Sequence, residues 1–433
     1  MRKTIVLMFI LLLAVGNIAA QEGDPLVIGL LTDESGALTT YGYELEYGFK
    51  LGLLYAAGID LADYDNNIDD ALAAVVVAGR PVEVVVRDNG SDADTAASQA
   101  RELIEQQGAE ILVGAPSSGV TLSLQQIALD NDVLLFAAPG ASPSITGDNF
   151  NVNTFRVCRN TFQDSLALAS FATEGLGTDW VILAADYEFG RSSAEAFNAV
   201  LSGAGVNFVQ DTIYAPLETN DFTSYLQQVL DSGADTLLPI WAGDTTVTLF
   251  QQLAELGVGE QMNIVGAFNS NDIMLLSDPS TVGTISWIVY HYTFPDNEIN
   301  DVLIEGYQNV YDDYPDLFSE CAFATAQAIV AAVEATDGDT LPEALIPALE
   351  GMIFEGPKGT YGIRPSDHQA LVPMYIARLV NLDDPEQNFY ELLAEVPASE
   401  IIPPVLLPED LASRTEMDAE FLTEFAAVVE AES

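Results

Sequence analysis

One segment of the chain combines small residues and hydroxyls in a pattern suited to binding an anion. It runs from Val113 to Thr121 and reads VGAPSSGVT, so a short apolar run, a turn and a helix start follow one another. Ser118 is predicted as the N-cap of that helix, with Ser117 beside it. The free N–H groups of a first helical turn, aided by the helix dipole, favour a carboxylate. The sequence therefore predicts a carboxylate-binding turn, although a plain helix cap without a ligand fits the local pattern equally well.

Two further turns offer similar chemistry. The first reads APGASPS from Ala138 to Ser144, and it contains Gly140, where backbone can approach a ligand closely, and the Ser142 hydroxyl. The second reads GALTTYG over residues 36–42 and places Tyr41 at a helix start. Each of the three turns follows a predicted strand, and together they indicate a lined cleft.

These turns lie in a regular alternation of short apolar runs and amphipathic helices. The predicted strands are 26–31, 82–86, 111–113, 133–137, 180–184, 206–209, 236–240, 262–265, 285–289 and 373–380, and the predicted helices include 95–107, 120–129, 164–174, 192–203, 222–232, 245–256, 299–311 and 320–335. This order is typical of parallel sheets covered by helices. Interruptions near residues 155 and 290 predict two doubly wound lobes, in which ligands bind beyond the carboxyl ends of the strands.

The first 20 residues have the parts of a secretory signal peptide. Arg2 and Lys3 form a basic start, an unbroken apolar run extends from Ile5 to Val15, and Ala20 is a suitable last residue before cleavage. The run is shorter than the roughly 20 residues that a membrane-spanning helix needs, although an uncleaved anchor is the alternative. We therefore predict a soluble mature protein exported across the cytoplasmic membrane, to the periplasm or outside the cell.

The chain is strongly acidic. It has 66 Asp and Glu against 13 Lys and Arg, giving a formal net charge of −53. Such a surface repels nucleic acids, whose phosphate backbone needs a basic partner, and it disfavours anionic membranes for the same reason. The charge favours solubility, or a saline or acidic habitat, and does not identify a ligand.

Cys158 and Cys321 are the only cysteines. In an exported protein a disulfide between them is permitted. The sequence does not show that the two residues meet, so two buried thiols stay as the alternative.

The ordered set of turns resembles the leucine/isoleucine/valine-binding family, the periplasmic receptors of branched-chain amino-acid ABC importers. The resemblance rests on Ser35–Gly42, the strand and turn ending at Asp88, Gly114–Ser118, Ala138–Ser142, Tyr187–Gly190, Asp221–Phe222 and Gly356–Gly359. It runs in order from Pro25 to Val380 and so covers most of the chain. The family implies an α/β fold of two Rossmann-like doubly wound lobes joined by three crossovers, the type I periplasmic binding protein fold.

On this resemblance, residues 25–157 and 290–365 form the N-terminal lobe, and residues 158–289 and 366–395 form the C-terminal lobe. Residues 396–433 are an acidic C-terminal extension, packed or frayed, with a predicted helix at 418–431 and no assigned role. The implied function is capture of a small amino acid or related carboxylate by lobe closure, followed by delivery to permease subunits. We expect a monomer without catalytic activity, cofactor or metal; a ligand-sensing module of a receptor with the same fold is the alternative.

The resemblance also implies binding residues. Ser118, Gly140 and Ser142 match positions that hold the α-carboxylate and help to hold the ammonium of an amino acid, while Phe189 and Trp241 match aromatic walls of the second lobe. The full predicted set is Tyr41, Ser117, Ser118, Gly140, Ala141, Ser142, Tyr187, Phe189, Trp241 and Phe268.

Two positions depart from the amino-acid binders. Phe268 stands where they place a second-lobe acid for the ammonium, and Arg159 lies in the first crossover. Asp186, Asp244 and Asp272 are alternative acids for the ammonium, although none is at the matching position. Because arginine is scarce in this acidic chain, Arg159 suggests an anion-binding role, with a crossover ion pair as the favoured alternative. Both departures leave the ligand class open.

Other chemistries fit poorly. The segment 63–74 begins like a calcium loop but has Ile68 and Ala74 where glycine and glutamate are needed, so a solvated acidic loop is the better interpretation. A hydrolase would need a base beside Ser118; His291 is predicted at a crossover or cleft wall and His368 in an exposed loop. Two distant His and two distant Cys do not form a zinc site.

Overall fold

The computed structural model describes residues 23–171 and 175–432. The predicted signal peptide, residues 1–20, lies outside the described residues, as does the end of the helix predicted at 164–174. Within the described ranges, no helix is both long enough and apolar enough to cross a membrane.

The first sheet is built from the first third of the chain. Its strands are β1 (Leu26–Thr32), β2 (Val76–Val77), β3 (Arg80–Asp88), β4 (Ile111–Val113), β5 (Leu134–Phe136) and β6 (Thr154–Phe155), and its helices are α1 (Thr39–Ala56), α2 (Ile68–Leu72), α3 (Ala93–Gln107) and α4 (Ser118–Asp130). The strand order is β2-β3-β1-β4-β5-β6, and only β2 is antiparallel to its neighbour. Alternate residues of β1 belong to different hydrophobic clusters, one with α1 and one with α3 and α4, because helices cover both faces.

The second sheet repeats this arrangement. Its elements are α5 (Thr161–Ala169), β7 (Asp179–Ala185), α6 (Glu188–Gly203), β8 (Asn207–Phe208), β9 (Ile213–Ala215), α7 (Thr223–Asp231), β10 (Thr236–Ile240), α8 (Thr246–Glu255), β11 (Asn263–Ile264) and α9 (Asn271–Met274). The strands run parallel in the order β11-β10-β7-β8, with β9 also beside β7.

The remaining elements add to both halves. They are β12 (Ile285–Ile288), α10 (Glu298–Tyr311), α11 (Ser319–Ala335), α12 (Pro342–Leu349), β13 (Ile353–Gly356), β14 (Gly359–Ile363), β15 (Ala370–Leu371), β16 (Met374–Leu379), β17 (Tyr390–Val396) and α13 (Asp418–Glu432). Antiparallel sheets form in the orders β12-β16-β17 and β13-β14-β15. Because α10 and α11 pack on α1 while β12 and β16 pack on α5, the chain crosses between the halves three times, after β6, after β12 and after β15. The pairing of β14 with β15 continues beyond residue 365, where the sequence placed the end of one lobe segment.

Helix α11 approaches α1 closely because two glycines leave room for it. A Cβ at Gly48 would lie 2.2 Å from the Ser319 carbonyl oxygen, and one at Gly52 would lie 2.4 Å from that of Phe323. Their spacing of four places both glycines on one face of α1. This contact fixes the chain to the first half after it returns from the second.

The two cysteines form a disulfide. The sulfurs of Cys158 and Cys321 are 2.08 Å apart, which answers the question that the sequence left open. The bridge joins the first crossover to the first turn of α11.

Two sequence predictions are wrong in detail. The N-cap of α4 is Ser117, whose backbone is extended, and Ser118 is the first helical residue. The Ser118 hydroxyl accepts a hydrogen bond from the Ser142 N–H at 3.1 Å and does not cap the helix. His368 is fully buried instead of exposed. Its ring stacks on Phe155 with centroids 3.8 Å apart, and its Nδ1 donates to the Thr154 carbonyl at 2.9 Å.

The C-terminal extension packs on the β13-β14-β15 sheet. Phe421 and Phe425 of α13 are buried in a cluster with Leu371. At the start of α13, the Asp418 carboxylate accepts hydrogen bonds from the Ser366 N–H and hydroxyl, at 3.1 and 2.7 Å. The described part of the extension is therefore a packed element.

Candidate functional site

A cavity lies between the two halves, at the carboxyl ends of both parallel sheets. The first half contributes the turns after β4 and β5 and the start of α1, and the second contributes the segments after β7 and β10. The lining residues are Leu38, Tyr41, Pro116, Pro139, Ala141, Arg159, Tyr187, Phe189, Trp241, Ala242, Ala267, Phe268, Asn269, Val289, Leu317 and Phe318. Its volume is about 80 Å³, and a second cavity of about 50 Å³ shares five residues with it: Arg159, Phe189, Trp241, Ala267 and Asn269. We call this lined space the cleft cavity.

Six of the sixteen residues that line the cavity are aromatic. Tyr41 meets Phe318 edge to face, with centroids 5.0 Å apart, and Tyr187 lies 5.9 Å from Phe189. Trp241 is held in place because its Nε1–H donates to the Thr245 hydroxyl at 2.9 Å. Such walls suit an apolar or aromatic ligand body, since buried rings supply large contact area in a defined orientation.

Arg159 is the charged residue of the cleft cavity. Its side chain is 7% exposed, and its guanidinium carbon lies 5.1 Å from the centre of the Phe318 ring. The Nε atom is 3.5 Å from Asp164 Oδ1, a distance typical of an ion pair rather than a tight hydrogen bond. Burial raises the pKa of Asp164, while the positive charge of Arg159 opposes that rise.

The turns predicted to bind a carboxylate make hydrogen bonds within the protein itself. The Ser142 and Ser144 hydroxyls each donate to Glu188 Oε1 at 2.8 Å, and Glu188 is the first residue of α6 in the second half. A carboxylate of the chain itself therefore occupies the hydroxyls of the second turn. Gly140 has a packing role, because a Cβ there would lie 2.8 Å from the Thr121 hydroxyl.

Arg156 fixes these turns to the crossovers. It is fully buried, and its guanidinium donates to the Gly140 and Ser142 carbonyls at 3.1 and 2.7 Å, and to the Gln369 side chain at 2.7 Å. The Gln369 amide in turn donates to the Cys158 carbonyl at 2.9 Å. Gln369 directly precedes β15, so the first crossover is joined beneath the cavity to the strand from which the third crossover departs.

The halves touch across the cavity, so the structure is a closed arrangement. The Asp244 N–H donates to the Ala37 carbonyl at 3.0 Å, and the Gly243 N–H approaches the Tyr41 hydroxyl at 3.4 Å. A third contact joins Asp316, in the loop before α11, to the Asn271 N–H at 2.5 Å. Burial, with a smaller contribution from the nearby acids Asp272 and Asp313, raises the pKa of Asp316 to about 8, although the hydrogen bonds from the Asn271 and Leu317 N–H groups oppose this rise.

Six of the ten predicted binding residues line the cleft cavity. They are Tyr41, Ala141, Tyr187, Phe189, Trp241 and Phe268. The other four, Ser117, Ser118, Gly140 and Ser142, are not part of the lining and support the turns that carry Pro116, Pro139 and Ala141. The set of binding residues predicted from the sequence omitted Arg159, although the scarcity of arginine in this chain was a signal. It also omitted Asn269 and Phe318, for which no local pattern was available.

No cluster of three or more His, Cys, Asp and Glu that could hold a metal occurs in the part of the chain that the structure describes. The segment that begins like a calcium loop forms a short 3-10 helix at Leu61–Tyr64 and helix α2. His291 is buried between aromatic rings, its Nδ1 2.8 Å from the Thr293 hydroxyl.

Two α/β halves around such a cavity define a ligand-binding clamp. A family model described as periplasmic binding protein matches residues 25–384, so the chain belongs to the periplasmic binding protein family. The chain is 26% identical over 384 residues to Leu/Ile/Val-binding protein homolog 6 of Brucella suis biovar 1, an alignment that covers 86% of this chain and 92% of that protein. The family and the type I fold predicted from the sequence are confirmed.

Solved structures support the same class. The crystal structure of an ABC-type branched-chain amino acid transporter from Rhodopseudomonas palustris CGA009 is 28% identical with a TM-score of 0.70, covering 89% of this chain and 100% of that one. A solute-binding protein of an ABC transporter from R. palustris HaA2, solved with p-hydroxybenzoic acid, shares the fold with a TM-score of 0.75 at 22% identity, covering 88% of this chain and 98% of that one.

Proposed function

We propose that this chain is the extracytoplasmic substrate-binding protein of an ABC importer, and that it captures a small amino acid or related carboxylate by closing two lobes. The observation that carries the proposal is the cleft cavity, which both halves line and which contains a buried arginine. The names of its relatives support the importer role, since one is a Leu/Ile/Val-binding homolog and another binds an aromatic acid.

Capture follows from the closed contacts. The ligand first meets the wall of the first half, where Tyr41 and Ala141 face the cavity. The second half then closes over it and brings Tyr187, Phe189 and Trp241. A ligand shifts this equilibrium only through contacts that are better in the closed form, and these three rings supply them. The closed shape is then recognised by the membrane subunits.

We propose the ten predicted residues as one binding site with two layers. Six contact the ligand, and Ser117, Ser118, Gly140 and Ser142 hold the turns beneath it. Lobe assignments follow the predicted ranges, except that residues 366–371, up to the end of β15, go with the first half. The protein is exported to the periplasm or cell exterior as a monomer.

Thermal unfolding with a ligand panel tests the function. Amino acids, small organic acids, amides and neutral sugars are each added to the mature protein, and the midpoint is recorded. A ligand at 100 times its dissociation constant adds about 2.7 kcal/mol to the free energy of unfolding, which is easily detected. We expect at least one amino acid or organic acid to raise the midpoint and to reduce the radius of gyration in small-angle scattering. Stabilisation by neutral sugars alone would contradict the proposal.

A further inference from the structure

Three arginines are buried among the described residues of this acidic protein, and one of them differs from the others. Arg156 and Arg364 are 0% and 2% exposed, and in both the Nε, Nη1 and Nη2 atoms all donate hydrogen bonds to protein acceptors. Arg159 is 7% exposed, yet its Nε and Nη1 have no hydrogen-bond partner among the described residues. Buried donors without partners are rare and costly, which marks this guanidinium as incomplete without a further acceptor.

The surroundings hold Arg159 in place without satisfying it. Phe318 lies against its guanidinium, and Asp164 lies 3.5 Å from its Nε. The Asp164 Oδ1 atom is itself buried without a hydrogen-bond partner, so the pair is not a closed hydrogen-bonded ion pair. By contrast, Arg364 donates to both oxygens of Asp367, at 2.9 and 2.6 Å. Asp164 therefore positions the guanidinium and leaves donors for another anion.

The cavity wall restricts what that anion can be. Among the sixteen described residues that line the cleft cavity, Arg159 is the single charged one, and six are Tyr, Phe or Trp. The adjoining smaller cavity adds one carboxylate, Asp164, which already faces Arg159. An ammonium group in the cleft cavity would thus meet a guanidinium and aromatic rings but no free carboxylate, and burying an unpaired charge is strongly unfavourable.

We propose that Arg159 binds the carboxylate of a ligand with an aromatic body and no ammonium group, so that the preferred substrates are aromatic monocarboxylates rather than amino acids. This inference rests on the proposed function and names its substrate class. The carboxylate accepts from the Arg159 guanidinium, the ring lies among Tyr187, Phe189 and Trp241, and Phe268 adds a further apolar side to the cavity.

Isothermal titration of the mature protein with benzoate, phenylacetate, benzamide, phenylalanine and leucine tests the proposal. Benzamide keeps the ring of benzoate and removes the charge, while phenylalanine keeps ring and carboxylate and adds the ammonium. We expect benzoate or phenylacetate to bind at least about 10-fold more tightly than benzamide, since a hydrogen bond to a charged group accounts for about 10- to 100-fold in affinity. Phenylalanine and leucine should bind more weakly than the simple acids.

Two variants separate recognition from folding. Arg159→Gln should remove the preference for benzoate over benzamide, and Arg159→Lys should retain part of it. Arg378→Gln is the matched control, because Arg378 is a half-exposed cation on β16 that pairs with Glu391 away from the cavity. It should bind as the parent does. If Arg159→Gln does not fold, the comparison of benzoate with benzamide on the unmodified protein still decides the matter.

Each outcome has a consequence. Binding of leucine or phenylalanine in preference to both aromatic acids would overturn the inference while leaving the proposed function intact. Unchanged benzoate affinity in a folded Arg159→Gln variant would show that Arg159 serves only the ion pair with Asp164, and would also overturn it. Binding of neither the acids nor the amino acids would overturn the proposed function as well.

Discussion

Replacing Cys158 and Cys321 together by alanine should lower the free energy of unfolding by up to about 5 kcal/mol. The two residues are 163 apart in the sequence, and closing a loop of that length in the unfolded chain removes entropy worth about 5 kcal/mol at 25 °C. Removing a native disulfide typically costs about 2–5 kcal/mol, less than the full figure where the unfolded chain retains structure. Alanine is preferred to serine, since both positions are buried and a hydroxyl there would need a partner.

Guanidinium denaturation of the parent, both single variants and the double variant measures this effect. Either single substitution already breaks the bridge, so each should cost nearly as much as the double, in strong departure from additivity. The parent unfolded in the presence of a reductant provides the matched control and should approach the double variant. A double variant within about 1 kcal/mol of the parent, or single effects that simply add, would refute the entropic argument.

Three further changes have defined outcomes. Lys358→Met should lower the free energy of unfolding, measured by denaturation, by about 3–5 kcal/mol, because the buried Glu320, 3.4 Å away, would be left without its cation. The double variant with Glu320→Leu should recover most of the lost stability. A double variant as unstable as Lys358→Met would contradict this explanation. The pKa of Asp316 is raised in the folded protein, so the folded protein keeps a proton that the unfolded chain has lost, and the free energy of unfolding should fall from about pH 4 to pH 8. Asp316→Asn should flatten that slope. An identical slope in the variant would show that Asp316 does not cause the pH dependence. Glu188→Gln replaces the carboxylate that accepts from the Ser142 hydroxyl with a weaker, neutral acceptor, so the closed form should be less populated. Ligand affinity measured by titration should fall about 3- to 10-fold. Unchanged affinity would show that this contact does not favour closure.

Parallel strands were predictable because burial on both faces makes them continuous apolar runs. Strands β4 and β10 coincide with the predicted 111–113 and 236–240. Strand β17 was missed because Leu392 and Leu393 within it are exposed, so its hydrophobic pattern does not match its burial. The short antiparallel strands β13 to β15 were also missed, because strands of two to five residues have too few positions to show a hydrophobic period.

The site was predictable where its residues follow strands, and unpredictable where they come from distant segments. Tyr187 and Trp241 follow β7 and β10, so the fold class alone places them at the cavity. The sequence could not show that Glu188 would meet the hydroxyls of the opposite half. Nor could it show that Phe318 would lie on Arg159, because no local pattern links residues so far apart in the chain.

The Arg156 network has a mechanical consequence. The same guanidinium holds the Gly140 and Ser142 carbonyls and the Gln369 side chain, and Gln369 directly precedes β15, from which the third connection between the halves departs. Because this network ties the starts of two connections together, we expect opening to be a swing about a shared axis rather than a sliding of one connection past the other. The turns of the first half would then keep their shape in the open form, and distances between spin labels placed within that half should stay constant while those across the cavity lengthen. A receptor built in this way meets its solute with one rigid face already in place.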